Sequence, residues 1–156
     1  MGVGIQAPDY SHTQKAPLCL LLYFSAICCF ALPLLLPTVP GSPAPLIPVA
    51  VGVLTALTGM ACHYLTVVDE GDWLALRFGP LPVFQRKVRY VDIECVEIGR
   101  TLFLDGWGIH YSVRGGWVWN LWGRDCVVVH WKQGGVLRIG TDDAENLAAF
   151  LQARIQ

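Results

Sequence analysis

Positions 16 to 68 form a run of 53 residues with no Asp, Glu, Lys or Arg. A helix that crosses a bilayer needs about 20 mostly apolar residues to cover roughly 30 Å of hydrocarbon. Two stretches reach that length, residues 18–36 and residues 46–65. Between them lies Pro37-Thr38-Val39-Pro40-Gly41-Ser42-Pro43-Ala44-Pro45, whose prolines cannot continue a helix. The pattern predicts a transmembrane hairpin over residues 16–68, preceded by an N-terminal tail over residues 1–15. The first run is longer than the apolar core of a cleavable signal peptide, and no small-x-small site follows before the prolines. Pro33 falls near the end of the first span and Pro48 in the first turn of the second, where helices tolerate proline.

From Asp69 onward the period changes. Short alternating runs bounded by turn residues predict strands. Val67-Val68 leads through the turn Glu70-Gly71-Asp72 into residues 73–78, with Leu74, Leu76 and Phe78 on one face. After the break Gly79-Pro80-Leu81-Pro82 come residues 84–88, 91–98, 108–112 and 117–120, then a hairpin of 126–132 and 136–139 across Gln133-Gly134-Gly135. The period then becomes helical: Asp142 can cap a helix, Glu145 completes a capping box, and Leu147, Phe150, Leu151 and Ile155 share one face. The predicted fold class is α+β: two transmembrane helices, then a bent β-sandwich or open barrel of about seven strands plugged by a C-terminal helix, over residues 69–156.

This plan resembles the pleckstrin-homology (PH) fold. Val88-Arg89-Tyr90-Val91-Asp92-Ile93-Glu94-Cys95-Val96 is similar to the bacterial PH-like domains that are attached to membrane spans. So is Leu137-Arg138-Ile139-Gly140-Thr141-Asp142-Asp143, running into Leu147-Ala148-Ala149-Phe150-Leu151. Gly108-Ile109-His110-Tyr111 and Gly116-Trp117-Val118-Trp119-Asn120 resemble a subgroup of small bacterial membrane proteins without an assigned activity. The resemblance covers about 85 residues and implies a fold, with no catalytic residues to carry over. Eukaryotic PH domains that bind phosphoinositides place basic residues around their first hairpin. Here that turn is Asp69-Glu70-Gly71-Asp72, which would repel a phosphorylated headgroup.

Charge sharpens the picture. Only 15% of the residues are charged, yet positions 69–156 hold 10 basic and 11 acidic side chains. That balance leaves no basic stripe for nucleic acid. The turn between the spans is uncharged, whereas Lys15 flanks the first span and Arg77, Arg86, Lys87 and Arg89 follow the second. The positive-inside rule therefore predicts an integral protein of the plasma (inner) membrane with both termini cytoplasmic. The six cysteines show neither CxxC nor metal-type spacing with His, so no disulfide framework, metal site or cofactor is expected.

Three groups of residues are candidates for function. Gly52, Ala56, Gly59 and His63 share a helical face in the second span, suited to packing on the first span or to a homodimer. Arg86, Lys87 and Arg89 are the basic cluster, either a solvated strand or a contact to anionic lipid. Trp107, Trp117, Trp119 and Trp122 crowd into 16 residues, enough to fill a core and leave some exposed for binding. His110 and His130 stand on separate strands without a nucleophile, Gly115-Gly116 and Gly134-Gly135 lack a phosphate-loop context, and no catalytic residue is named. The expected function is a membrane-anchored, non-enzymatic scaffold that presents a PH-like domain to protein partners. The alternative is a lipid-binding or envelope sensor that uses the basic strand.

Overall fold

In the computed structural model, which describes residues 9–36, 41–80 and 84–155, helical structure ends before the apolar sequence does. The fold is α+β, with three helices and two sheets. Helix α1 covers Leu18–Leu35 and α2 covers Leu46–Ala61. At 1.5 Å per residue they are about 27 and 24 Å long. α1 is long and apolar enough to cross a membrane, whereas α2 is shorter. The second predicted span thus stops four residues early. Its last residues, Tyr64 and Leu65, instead open a strand that continues through Thr66, Val67 and Val68 and buries Leu65 and Val67 in the domain core. The β-branched run favours that extended conformation. Residues 37–40 of the turn between the helices, residues 1–8 of the predicted tail and residues 81–83 lie outside the described residues.

The rest of the predicted tail is not a tail. Ser11–Lys15 forms β1, which pairs antiparallel with β2, Tyr64–Asp69. β3 (Trp73–Phe78) and β4 (Phe84–Arg89) complete a four-stranded sheet in the order β1-β2-β3-β4. One 3-10 turn at Tyr90–Asp92 carries the chain to the second sheet. Its strands are β5 (Ile93–Arg100), β6 (Gly108–Tyr111), β7 (Trp117–Asn120), β8 (Asp125–Trp131) and β9 (Val136–Gly140). They lie in the order β5-β8-β9-β7-β6, antiparallel except for the parallel pair β7–β9. The described residues therefore hold nine strands rather than about seven, in two separate sheets of four and five. Gly116 permits the parallel pairing: its φ is +89°, and a Cβ there would run into the backbone of Val136.

Leu65, Val67, Leu74, Leu76 and Val88 of the first sheet meet Val127, Val129, Leu137 and Ile139 of the second, all almost fully buried. Helix α3, Ala144–Ile155, covers this core with Leu147 and Leu151. Its start departs by one residue from the capping expected at Asp142. The Asp143 carbonyl accepts the Leu147 N–H at 3.1 Å, and its carboxylate accepts from the Asn146 amide at 2.6 Å. Asp142 points instead toward His12, whose Nε2 lies 2.6 Å from its carboxylate.

Candidate functional site

The four clustered tryptophans fall into three environments. On β7, alternation turns Trp117 and Trp119 to one face, but their depths differ. Trp119 is 7% exposed and packs on Phe78 of the other sheet, with ring centres 5.8 Å apart. It belongs to the core, which removes it from the predicted binding set. Trp117 is 46% exposed and stands edge-on to Tyr111, 5.9 Å away. With Phe84, Arg86 and Ile109, the Trp117 and Trp119 rings border a cleft of about 280 Å³. That cleft lies between β4 and β6, the edge strands of the two sheets.

Trp107 and Trp122 form a separate pair, stacked at 4.5 Å with planes 22° apart. They wall an apolar cleft of about 350 Å³ together with Leu102, Phe103 and Arg124. Its loops are held by buried polar groups. The Asn120 amide donates to the Gly106 carbonyl at 3.4 Å and to the Gly123 carbonyl at 3.1 Å, joining the two loops. Gln14 donates to the Trp122 carbonyl at 3.0 Å. Asp105 accepts from the Leu102 N–H at 2.9 Å and the Ser112 hydroxyl at 2.8 Å. Burial alone would push the Asp105 carboxyl up, but these two hydrogen bonds hold it below its ordinary range.

Every member of the basic cluster has an internal partner. Lys87 lies 2.7 Å from Glu70, which also pairs with Arg77. The Lys87 hydrogen bond is the main reason the Glu70 carboxyl titrates below its usual range. Arg89 holds Asp92 through two bonds, at 2.7 and 3.1 Å, and lies over the Trp73 ring. Arg86 sits over Trp131, where desolvation lowers its pKa. The acidic turn is correspondingly muted. Asp69 is buried and accepts from the Tyr90 hydroxyl at 2.7 Å and from Arg154 at 2.9 Å.

On the helix pair, Gly52 and Gly59 are buried against α1. A Cβ at Gly52 would lie 3.0 Å from the Phe30 ring, and one at Gly59 would lie 3.0 Å from the Tyr23 ring. Ala56, between them, is half-buried. This small-residue face is thus occupied by α1, and a homodimer built on it would have to displace that helix. His63 meets the Tyr23 hydroxyl at 3.3 Å.

A second constellation joins the chain ends, and sequence reasoning missed it. Arg154 of α3 pairs with Asp9 and with Asp69. The Tyr10 hydroxyl donates to Asp143 at 3.1 Å, and its ring stacks on Phe150 at 5.3 Å. Burial is the main cause that raises both the Tyr10 and the Tyr90 phenols above their ordinary values, with Asp143 and Asp69 adding to it. Cys126 is buried, which pushes its thiol up to about 11, and His130 meets Glu97 on the surface at 3.1 Å. Among the described residues no set of three His, Cys, Asp or Glu side chains is placed to hold a metal ion. The sequence matches no protein-family model, and a search of curated proteins finds no similar chain.

Proposed function

We propose that this protein is an integral plasma-membrane protein whose two apolar helices form a hairpin in the bilayer. Its β domain is a non-enzymatic, PH-like binding module presented to protein partners on the cytoplasmic side. The anchoring part rests on how α1 is packed. An apolar helix inside a soluble core would be mostly buried, yet in α1 only Cys19 and Ala26 are buried, and Leu34 is 86% exposed. An 18-residue apolar helix with only two residues buried calls for a hydrocarbon solvent. α2 spans less by itself, and the polar group of His63 at its end meets the interface, where a short span is accommodated by local thinning. The PH-like reading is supported by two packed sheets closed by a C-terminal amphipathic helix. The parallel β7–β9 pair sets this domain apart from a simple antiparallel meander.

The observation that carries the binding role is the exposed pair Trp117 and Phe84 in the cleft between two sheet edges, with the exposed Tyr111 ring beside Trp117. Aromatic side chains with rigid frames are the usual anchors of protein interfaces. The test is gentle extraction of the tagged full-length protein, then mass spectrometry of what remains bound. Trp117→Ala with Tyr111→Ala is expected to strip the specific partners while leaving the unfolding midpoint close to wild type. Retention of the same partners by a folded double variant would sink this reading. The basic-strand lipid sensor gains no such support, because Lys87, Arg89 and Arg86 are already engaged within the chain.

A further inference from the structure

The Trp107–Trp122 cleft lies at the end of the domain where the two apolar helices leave it. Only residues 16 and 17 separate β1 from α1, and only residues 62 and 63 separate α2 from β2. Two residues reach at most about 7 Å. The domain end that carries Lys15 and Tyr64 is therefore tied within one side-chain length of the helices. Gln14, next to that end, donates to the Trp122 carbonyl at 3.0 Å and so ties the Trp122 loop to it. Met60 and Ala61 of α2 rest on the turn at Gly79, where a Cβ would lie 2.5 and 3.0 Å from their carbonyl oxygens.

At this end the domain exposes apolar rings. Phe103 is 84% and Trp107 50% exposed, and Trp122 stacks behind them. In water such a face is unfavourable. In the interfacial layer of a bilayer, amphipathic rings are stabilised, with the indole N–H directed to the polar side. Arg124 stands at the rim, its Nε donating to the Thr101 carbonyl at 3.3 Å, so its charge is held where lipid phosphates would lie. Asn120 fixes the two loops in advance, which lowers the entropy lost on docking.

We infer that Phe103, Trp107 and Trp122 form a second membrane contact, in which the cleft docks into the interfacial layer of a glycerophospholipid bilayer and holds the domain flat against it. This rests on the anchored reading above. It predicts a domain with one face buried in lipid headgroups.

The test uses the full-length protein reconstituted in vesicles of phosphatidylcholine and phosphatidylglycerol whose acyl chains are brominated close to the glycerol. Flotation reports anchoring, and quenching of tryptophan fluorescence by bromine reports docking. Wild type is expected to float and to be quenched. Most of that quenching is expected to disappear in Trp107→Phe with Trp122→Phe, and to persist in Trp117→Phe. Phe103→Asp keeps all six tryptophans and alters a side chain with almost no packing, so it separates docking from folding. It is expected to reduce quenching while flotation is unchanged. Flotation with equal quenching in wild type and all these variants would overturn the docking and leave the anchor standing. Wild type that does not float would overturn the anchor, and the docking with it.

Discussion

The helix pair and the β domain are both rich in Leu, Val and Ile, but they are packed inside out relative to each other. In the domain, Leu65, Leu74, Leu76, Leu137, Leu147 and Leu151 are buried, and charged side chains pair on the outer faces. In the helices, Leu20, Leu21, Phe24, Ile27 and Leu34 point outward while Gly52 and Gly59 make the contact between them. Water drives large apolar side chains into a common core. Hydrocarbon offers no such drive, so helix pairs in lipid associate through close backbone approach at small residues. The contrast is what the proposed lipid setting of the helices requires, and it can be broken by substituting the same residue type in both.

The largest effect is expected for Leu→Ala in the domain. Leu147→Ala or Leu74→Ala removes a side chain with no exposure and leaves a cavity, lowering stability by about 2–5 kcal/mol. Leu21→Ala on the outer face of α1 is expected to change domain stability by less than about 0.5 kcal/mol. Denaturant unfolding followed by tryptophan fluorescence in detergent measures both. Equal losses at the two sites would mean that the outward face of α1 is covered by protein.

Next in size is Asp69→Ala. It leaves the Tyr90 hydroxyl and the Arg154 guanidinium without their shared acceptor, at a cost of about 2–3 kcal/mol. Tyr90→Phe, which keeps the ring, is expected to lose less. In the helix pair the matching intervention is overpacking. Gly59→Leu forces a side chain into the Tyr23 ring and is expected to destabilise the pair by about 1–3 kcal/mol, seen as a lower thermal midpoint in detergent. Val53→Leu on the exposed face serves as its control and is expected to leave the midpoint unchanged.

Much of this contrast can be read from the order of residues. The period-two runs from Trp73 onward become β3 to β9, and the face of Leu147 and Leu151 becomes the buried side of α3. β1 is illegible for a physical reason. Ser11, His12, Thr13, Gln14 and Lys15 are polar, and only the edge of β2, about fifty residues away, makes them a strand. The end of α2 is hidden because hydropathy does not distinguish lipid from a protein core. The β-branched residues Thr66, Val67 and Val68 carry the signal that it missed. Alternation correctly puts Trp117 and Trp119 on one face, but only the Phe78 ring beneath Trp119 decides that one is core and the other surface. At the helix start two adjacent aspartates compete for one cap, and His12, contributed by the unpredicted strand, draws Asp142 away.

Proton linkage gives the finest test, because the domain carries groups shifted in both directions. Tyr10 and Tyr90 have phenols raised by burial and by their carboxylate partners. A raised acid is held in its protonated form by the fold, so its contribution is complete below the unfolded phenol value of about 10 and is lost as pH rises above it. Tyr90→Phe is expected to flatten that alkaline loss. Glu70 behaves oppositely. Its folded pKa lies below the unfolded value of about 4.3, so the unfolded chain binds more protons in that window. Its contribution is present above the unfolded value and disappears as pH falls through the folded one. Glu70→Gln removes the carboxylate that Lys87 and Arg77 share on the outer face of the sheet. The stability difference between wild type and Glu70→Gln is therefore expected to be small at neutral pH, to shrink toward zero in acid, and to shrink again with added salt, because exposed pairs are screened. Denaturant midpoints measured between neutral pH and pH values below 4 check this. A difference that stays constant across that range would mean that the Glu70 charge does not stabilise the sheet.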